Sequence, residues 1–297
     1  MSPDLPEKTA HSGTPGLPER PPVVGPDPGV AGELRVDRYL GETDLTHWYT
    51  PAGRVLAAGS RRVSDFFGPY LTLVVTIVIG AGIAFALSLL AVAVYDAVAD
   101  ADGVAGLDRP LLDFALTLRS PVADAVITGY TDIAGTIGMP TIAVVSMIIL
   151  AVHRKSWTPV VLIVAAGGGS LLMTVAGKEL INRQRPPLSD AVPPFEYSPS
   201  FPSGHTLNAV VVIGIIAYLL ILRRHTRRAR VALAVGAAVF AITVGLSRVF
   251  LGHHWFTDVL AGWILGAAWL AIIITAHRLY LTTRKRREEV APAPAHP

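Results

Sequence analysis

Long apolar stretches separated by short polar segments make up most of the chain after residue 66. The first stretch runs from Phe67 to Tyr95 without a charged side chain, and about 20 such residues are enough for a helix to cross a bilayer. Further apolar stretches begin near Ile133, Trp157, Leu207, Val231 and Val259. The pattern predicts an all-α, polytopic membrane domain with six transmembrane helices over residues 69–282.

Two of these predicted spans are short. The stretch from Leu207 ends at Arg223, and the stretch from Val231 follows Arg230, so each lies near the lower limit of about 17 residues for a span. Polar residues at one end of each helix must then also lie at membrane depth, which is tolerated only where they line a cavity. The two short spans therefore predict a polar pocket.

The regions outside the apolar stretches have a different composition. Residues 1–35 are rich in Pro and Gly and contain few large apolar side chains, which predicts a disordered cytoplasmic tail rather than a cleaved signal peptide. Residues 36–68 mix charged and aromatic side chains and predict a juxtamembrane segment with an interfacial helix. Residues 283–297 predict a second cytoplasmic tail, whose basic part contacts anionic lipid.

Basic residues are distributed unequally between the two sides of the predicted membrane domain. If the loops alternate, 19 of the 25 Lys and Arg residues fall on the side of both termini. Because basic loops stay cytoplasmic, the termini are predicted to be inside and the pocket at the extracytoplasmic ends of the helices. The net charge of +3 reflects these inner arginines and gives no reason to expect a nucleic-acid partner.

The chain contains no cysteine. This excludes disulfides, thiolate metal ligands and a cysteine nucleophile. Any nucleophile must therefore come from another residue type.

The first polar segment of interest contains Lys178 and Arg185, seven residues apart and followed by Pro186. A continuous helix would present both cations on one side before the proline ends it. Arginine offers a planar fork that matches phosphate oxygens, and lysine offers a compact charge. Snorkelling side chains are the alternative, but cations should be scarce on the outer face, so an anionic ligand explains the pair better.

The second segment is the turn Pro-Ser-Gly-His that precedes an apolar helix. Ser203 is a candidate N-cap, and the free N–H groups of the helix start attract an anion. Gly204 lets the backbone approach a ligand closely, and His205 then lies beside that anion in the first turn. The alternative is an ordinary turn with a structural histidine.

The third segment contains His254 and Asp258, which share a face if both lie on one helix. A carboxylate that accepts from one ring nitrogen leaves the other with a free lone pair, as in a nucleophile backed by an orienting group. Arg248 could reach the same anion, whereas His253 would point about 100° away and is interpreted as a wall or interfacial residue. The alternative is a His–Asp pair that only stabilises the first helical turn.

Together, the three segments resemble the signature of the type-2 phosphatidic acid phosphatases, or lipid phosphate phosphatases, in their bacterial integral-membrane branch. That signature is Lys, six residues, Arg-Pro; then Pro-Ser-Gly-His; then Ser-Arg, five residues, His, three residues, Asp. It occurs here without a substitution as Lys178 to Arg185-Pro186, Pro202-Ser203-Gly204-His205, and Ser247-Arg248 to His254 to Asp258. The resemblance covers roughly Tyr70 to Ala276.

The resemblance implies a phosphoric monoester or diphosphate hydrolase that acts through a phosphohistidine. His254 would be the nucleophile, Asp258 its orienting group and His205 the acid and base. The phosphoryl oxygens would be held by the side chains of Lys178, Arg185 and Arg248 and the backbone of Ser203 and Gly204. No metal and no cofactor are implied, and the sequence has no carboxylate cluster near these segments to hold a metal ion.

A pocket at the outer surface of the cell membrane predicts a substrate that arrives by diffusion within the bilayer. Candidates are phosphatidate, phosphatidylglycerol phosphate and a polyprenyl diphosphate such as an undecaprenyl carrier, and the loop that contains Glu196 is expected to influence headgroup choice. A lipid phosphotransferase with the same histidine site is one alternative. A non-catalytic lipid transporter or structural membrane protein is another, although no signature residue is lost. A vanadate-binding haloperoxidase is disfavoured by the six predicted spans.

Overall fold

The computed structural model of the 297-residue chain describes residue 34 and residues 36–98 and 104–290. The predicted tail over residues 1–35 lies almost entirely outside the described residues. The described chain is mainly helical, as predicted. In chain order its elements are a hairpin of β1 (Tyr39–Leu40) and β2 (Thr43–Asp44), then α1 (Pro51–Phe67), α2 (Pro69–Val98), α3 (Asp108–Thr117), α4 (Pro121–Asp132), α5 (Gly138–Arg154), α6 (Thr158–Ile181), α7 (Gly204–Leu222), α8 (Arg227–Phe250) and α9 (Phe256–Val290).

Within the described ranges, four helices are long and apolar enough to cross a membrane. They are α6, α7, α8 and the Phe256–Arg286 part of α9, and they coincide with four of the six predicted spans. The other two apolar stretches correspond to α5 and to Pro69–Gly82 in α2, which are shorter. The count of six transmembrane helices therefore stays a prediction.

Several helices begin where the sequence carries a hydroxyl residue before a proline or a basic turn. The side chains of Thr50, Ser120 and Thr226 each accept a hydrogen bond from a backbone N–H in the first turn of α1, α4 and α8. These caps satisfy amide groups that have no partner inside the helix. The hydrophobic pattern did not predict α3 and α4, because both mix charged and apolar residues within short segments.

Helix α7 lies at the centre of the bundle. Its residues Leu207, Ile215 and Leu219 are fully buried and pack in one cluster with Leu162 of α6 and Ile273 of α9. The outer faces of α5 and α8 instead expose apolar side chains such as Ile148 and Val239. An apolar outer face is expected where helices contact acyl chains. A turn of π-helix interrupts α7 over Ala209–Ile213.

Small residues allow the helices to approach closely. An ideal Cβ at Gly169 of α6 would lie 2.3 Å from the indole of Trp269 on α9, so a larger residue would force the two helices apart. Between α9 and α7, a Cβ at Gly262 would lie 3.0 Å from the Cβ of Thr206. Close approach at small residues is the usual way in which membrane helices gain packing contacts.

The juxtamembrane segment contains a hairpin and then α1. Gly41, with a φ of +66°, forms the turn between β1 and β2. The segment is held against the bundle by Asp37, which is fully buried and pairs with Arg154 at 3.0 Å and with Arg223 at 2.8 Å. We call this the anchor end of the bundle. The three signature segments meet at the opposite end.

Candidate active site

The first signature segment is not one continuous helix. Helix α6 ends at Ile181, because Asn182 adopts a left-handed conformation with a φ of 46° and donates its N–H to the carbonyl oxygen of Lys178 at 3.0 Å. Asparagine tolerates this conformation better than most residues, so the helix stops before the proline. The prediction that a single helix presents Lys178 and Arg185 on one side is therefore wrong.

The two cations nevertheless converge on the loop that connects α6 and α7. Lys178 Nζ donates to Ser198 Oγ at 3.0 Å, and Arg185 Nη2 donates to the same oxygen at 3.2 Å. Lys178 also donates to the carbonyl oxygen of Pro199, which Arg185 Nη2 contacts at 3.4 Å. The loop thus brings together two side chains that the helix itself does not align.

The second signature segment begins α7, as predicted, but without the predicted side-chain cap. Ser203 occupies the N-cap position, yet its Oγ accepts a hydrogen bond from Thr206 Oγ1 at 2.9 Å and caps no backbone N–H. Its own N–H donates to the carbonyl oxygen of Asp258 at 3.2 Å, which joins α7 to the start of α9. At Gly204, a Cβ would lie 3.1 Å from Thr174 Cγ2, so glycine keeps the helix start close to α6.

His205 lies in the first turn of α7 and faces the segment between α4 and α5. An ideal Cβ at Gly135 would lie 3.3 Å from His205 Nε2, so the glycine leaves this nitrogen unobstructed. Arg248 is buried near the same segment, where its Nη1 contacts Thr131 Oγ1 at 3.4 Å. The histidine and the arginine therefore both lie against the end of α4.

The turn between α8 and α9 depends on a glycine. Gly252 has a φ of +70°, and an ideal Cβ there would lie 2.1 Å from the carbonyl oxygen of Asp190, so only glycine fits. The N–H groups of His253 and His254 both donate to the carbonyl oxygen of Arg248, at 3.0 and 3.3 Å. The turn therefore fixes the backbone of His254 before α9 begins.

His254 and Asp258 are in contact, although they do not share a helix. Because α9 begins at Phe256, His254 lies in the preceding turn, and the prediction that one helix carries both residues is wrong. The Oδ2 atom of Asp258 accepts the N–H of Trp255 at 2.9 Å, which folds the turn back over the start of the helix. This places His254 Nδ1 3.6 Å from Asp258 Oδ2.

The two ring nitrogens of His254 have opposite surroundings. Nδ1 faces the Asp258 carboxylate and lies 3.4 Å from Ser200 Oγ, whereas Nε2 lies 3.3 Å from Arg185 Nη1. A carboxylate accepts hydrogen bonds, so the contacts assign the proton to Nδ1 and the lone pair to Nε2. Burial lowers the pKa of His254 to about 4, which favours the neutral ring despite the nearby Asp258.

Arg183 holds the Asp258 carboxylate from the side opposite His254. Its Nη1 donates to Asp258 Oδ1 at 2.5 Å, and its Nη2 donates to Asp108 Oδ2 at 2.6 Å. Asp108 in turn accepts the backbone N–H of Thr257 at 2.8 Å. Arg183, Asp108 and Ser200 were not among the predicted site residues. Arg183 is one of three basic residues in this segment, and that excess of charge was the available signal.

The Glu196 carboxylate bridges two of the predicted phosphate-binding arginines. Its Oε2 pairs with Arg185 Nη2 at 2.8 Å, and its Oε1 pairs with the buried Arg248. Burial alone would raise the pKa of Glu196, but the nearby positive charges, that of Arg248 above all, hold it at about 2. Glu196 is therefore ionised where it meets the two arginines.

His253 connects the same loop to the turn before α9. The ring is buried, and its Nε2–H donates to the carbonyl oxygen of Val192 at 2.7 Å. Nδ1 lies 3.9 Å from Glu196 Oε1. This histidine therefore lies in the wall of the site, on the side of the loop.

Comparison with known proteins identifies the family. The PAP2 superfamily profile matches residues 156–280. Phosphatidylglycerophosphatase B of Bacillus subtilis (strain 168) is 35% identical over 170 residues, which cover 56% of this chain and 80% of that protein. The chain belongs to the PAP2 superfamily. The resemblance drawn from the three signature segments is thereby confirmed.

A solved structure extends the likeness of this PAP2 protein to its fold. The crystal structure of a transmembrane PAP2-type phosphatidylglycerolphosphate phosphatase from Bacillus subtilis matches with a TM-score of 0.56 and 28% identity, over 71% of this chain and 97% of that one. An undecaprenyl-diphosphatase of Sulfolobus acidocaldarius is 35% identical over 80 residues, which are 27% of this chain and 33% of that protein. The chain is accordingly a phosphatase and a multi-pass membrane protein.

Proposed function

We propose that this PAP2 protein removes a terminal phosphate from a membrane lipid through a covalent phosphohistidine at His254. The observation that carries the proposal is the opposite environment of the two nitrogens of this ring. Nδ1 faces Asp258, and Nε2 faces Arg185, a predicted phosphate ligand. A neutral imidazole with an oriented lone pair beside an anion-binding guanidinium is suited to attack phosphorus.

In the first step, the lone pair of His254 Nε2 forms a bond to phosphorus while the bond from phosphorus to the lipid oxygen breaks. The protonated His205 donates its proton to that departing oxygen, which leaves as the lipid alcohol or as the shortened phosphate. Arg185 and Arg248 bind the phosphoryl oxygens, with Lys178 adding a third positive charge. Fixed cations of this kind stabilise the charge that develops in phosphoryl transfer.

In the second step, a water molecule hydrolyses the phosphohistidine. The neutral His205 takes a proton from the water as its oxygen bonds to phosphorus, and the bond from phosphorus to Nε2 breaks. Inorganic phosphate leaves, His254 regains its lone pair and His205 is protonated again. One imidazole therefore acts first as the acid and then as the base. The backbone N–H groups at Ser203 and Gly204 are proposed as further phosphate contacts at the start of α7.

The reaction is proposed to need no metal ion. Asp258, Glu196 and Asp108 each pair with an arginine, so these carboxylates are already neutralised by protein cations. Among the residues that the structure describes, no group of three or more His, Cys, Asp or Glu side chains is placed to hold a metal ion. We expect activity to persist in excess chelator, and loss of activity that added divalent cation restores would contradict this part of the proposal.

The proposed substrate is a lipid phosphate monoester or diphosphate. The site lies at one end of the membrane-spanning helices α6 to α9, within reach of a headgroup at the bilayer surface. The relatives are named as a phosphatidylglycerophosphatase and an undecaprenyl-diphosphatase, so phosphatidylglycerol phosphate and a polyprenyl diphosphate are the first candidates, with phosphatidate as a third. We propose six transmembrane helices with the site facing the extracytoplasmic side, supported by the arginines at the anchor end.

The experiment that tests the proposal is phosphate release by the purified protein across a panel of these lipids, combined with trapping of the intermediate. Radiolabelled substrate should label the protein at His254, and an alkaline quench preserves the acid-labile phosphohistidine. A label that persists in the His254→Ala variant would contradict the assignment. Product analysis with added lipid alcohols separates hydrolysis from transfer.

A further inference from the structure

The loop over residues 191–200 contacts every cation of the proposed phosphate site. Ser198 and Pro199 receive hydrogen bonds from Lys178 and Arg185. Glu196 then places one carboxylate oxygen on each of two arginines, Arg185 and Arg248. In this arrangement, the proposed phosphate ligands bind groups of the protein itself.

The carboxylate of Glu196 meets these arginines as a phosphate would. Two oxygens of one planar anion engage two separate guanidinium groups, which is a contact that phosphoryl oxygens also make. One of these arginines also lies 3.3 Å from His254 Nε2, the nitrogen that is proposed to attack phosphorus. A phosphoryl group that reached this nitrogen with its oxygens on Arg185 and Arg248 would compete with the carboxylate for the same donors.

We propose that Glu196 is a specificity-determining residue, an internal anion that holds the phosphate-binding arginines until a substrate of higher charge displaces it. The inference rests on the proposed function of the site. Phosphomonoesters and terminal diphosphates can displace the carboxylate, whereas phosphodiester headgroups cannot. The residue thereby excludes the ordinary phospholipids that surround the protein.

Charge explains the discrimination. A phosphomonoester carries about −1.5 to −2 charges at pH 7 and three terminal oxygens. A phosphodiester carries a single negative charge and two such oxygens, which equals the charge of a carboxylate. When a monoester replaces the Glu196 carboxylate on the two arginines, the ion pairing therefore becomes stronger. When a diester replaces it, the ion pairing does not become stronger, and the contacts that order the loop are lost. Bulk phospholipids are phosphodiesters, so this exchange decides which headgroups occupy the site.

A purely structural role for Glu196 predicts a different result. If the residue only fastens the loop, its removal should weaken the binding of all anions or the folding of the protein, without a preference between them. If it is a displaceable anion, its removal should strengthen anion binding, and most of all for singly charged diesters. The two roles therefore predict effects of opposite sign on diester binding.

The test compares Glu196→Gln with Glu179→Gln in purified, full-length protein in detergent micelles. Glu179 is exposed on α6 near the same end of the molecule, so its variant is a matched control for the loss of one negative charge. Hydrolysis of phosphatidate is measured with increasing mole fractions of phosphatidylglycerol as the phosphodiester competitor. We expect the competitor to inhibit Glu196→Gln at a surface concentration about tenfold or more below that needed for the wild type, since removal of a competing ion pair changes binding by at least this factor.

Inorganic phosphate gives a second readout without turnover. Its dissociation constant, measured from the phosphate-dependent shift of thermal unfolding, should fall in Glu196→Gln and stay at the wild-type value in Glu179→Gln. Equal diester inhibition in Glu196→Gln and the wild type would overturn the inference. The same measurements on Glu196→Ala test whether the effect comes from loss of the carboxylate rather than from the glutamine side chain. Failure of both variants to fold is the result that the purely structural role predicts, so it also overturns the inference.

The proposed function fails by a separate measurement. Phosphate release that survives His254→Ala would contradict the phosphohistidine mechanism, whatever the competitor does. A second outcome is that phosphate release depends on His254, but the diester inhibits Glu196→Gln and the wild type equally. This outcome would leave the mechanism intact and contradict only the inference about Glu196.

Discussion

At the scale of single residues, two adjacent histidines have different partners. His254 contacts the Asp258 carboxylate on one side and Arg185 on the other. His253 donates its Nε2–H to the Val192 carbonyl oxygen, which fastens the loop. Ring environment, more than position in the sequence, therefore distinguishes the proposed nucleophile from its neighbour.

This difference predicts the outcome of alanine substitutions. We expect His254→Ala to abolish phosphate release and His205→Ala nearly to do so, since both take part in bond making or proton transfer. His253→Ala should retain much of the activity, because it loses only a contact to the loop. Initial rates with a saturating lipid phosphate measure all three. Equal losses at His253 and His254 would mean that the nucleophile is wrongly assigned.

At the scale of elements, Arg183 connects three parts of the chain. It follows the end of α6, binds Asp258 in the first turn of α9 and binds Asp108 at the start of α3. Its carbonyl oxygen also accepts the N–H of Ser200 at 2.8 Å. Arg183 is therefore a positioning residue, because it holds the carboxylate that orients His254.

Loss of the ion pair between Arg183 and Asp258 should lower kcat and change KM little. We expect Arg183→Gln to reduce kcat by about 10- to 100-fold, a range typical of residues that orient a reacting group through another side chain. KM should change little, and Arg183→Lys should recover part of kcat. Steady-state kinetics on a lipid phosphate provide the measurement.

Arg109→Gln is the matched control, because Arg109 is an exposed arginine near the same end that pairs with Asp113 and Asp190. It should leave both constants near the wild-type values. A large rise in KM with unchanged kcat in Arg183→Gln would instead mean that Arg183 binds the substrate phosphate directly.

The sequence was informative about residue types at the site and less so about the backbone that carries them. The three segments that contain Lys178, His205 and His254 were predicted to lie at one membrane face and resemble a family signature, and the structure brings them to one end of the bundle. The end of α6 at Ile181 and the start of α9 at Phe256 depend on local backbone conformations at Asn182 and Gly252, which hydrophobic periodicity does not encode.

The partners supplied by loops were also beyond the reach of the sequence pattern. Glu196 meets two arginines across an irregular segment that has no periodicity, so its position follows from tertiary contacts alone. Asp108 lies 75 residues from Arg183 in the chain, and no pattern links the two. The helices were predictable because each is long and apolar, whereas α3 is short and of mixed polarity.

At the scale of the whole molecule, the two ends of the bundle hold different polar networks. The site end places arginines around the proposed phosphate position. The anchor end buries Asp37 between Arg154 and Arg223, so that one carboxylate joins the N-terminal segment to the ends of α5 and α7. The buried apolar residues of α7 lie between these two ends. Stability and catalysis should therefore be separable by mutation.

Substitution of Asp37 tests this separation. Asp37→Asn breaks the buried ion pair with Arg154, whose side chain is 2% exposed, and removal of one partner of a buried pair typically costs about 3–5 kcal/mol. We expect a clear drop in the midpoint of thermal unfolding in detergent, with kcat and KM of the folded fraction near the wild-type values. Asp65→Asn is the control, because its ion pair with Arg286 is long, at 3.7 Å, and exposed. Such pairs are worth about 0–1 kcal/mol, so its midpoint should hardly move. Loss of kcat in Asp37→Asn without a change in the midpoint would instead mean that the anchor end controls the chemistry at the site end.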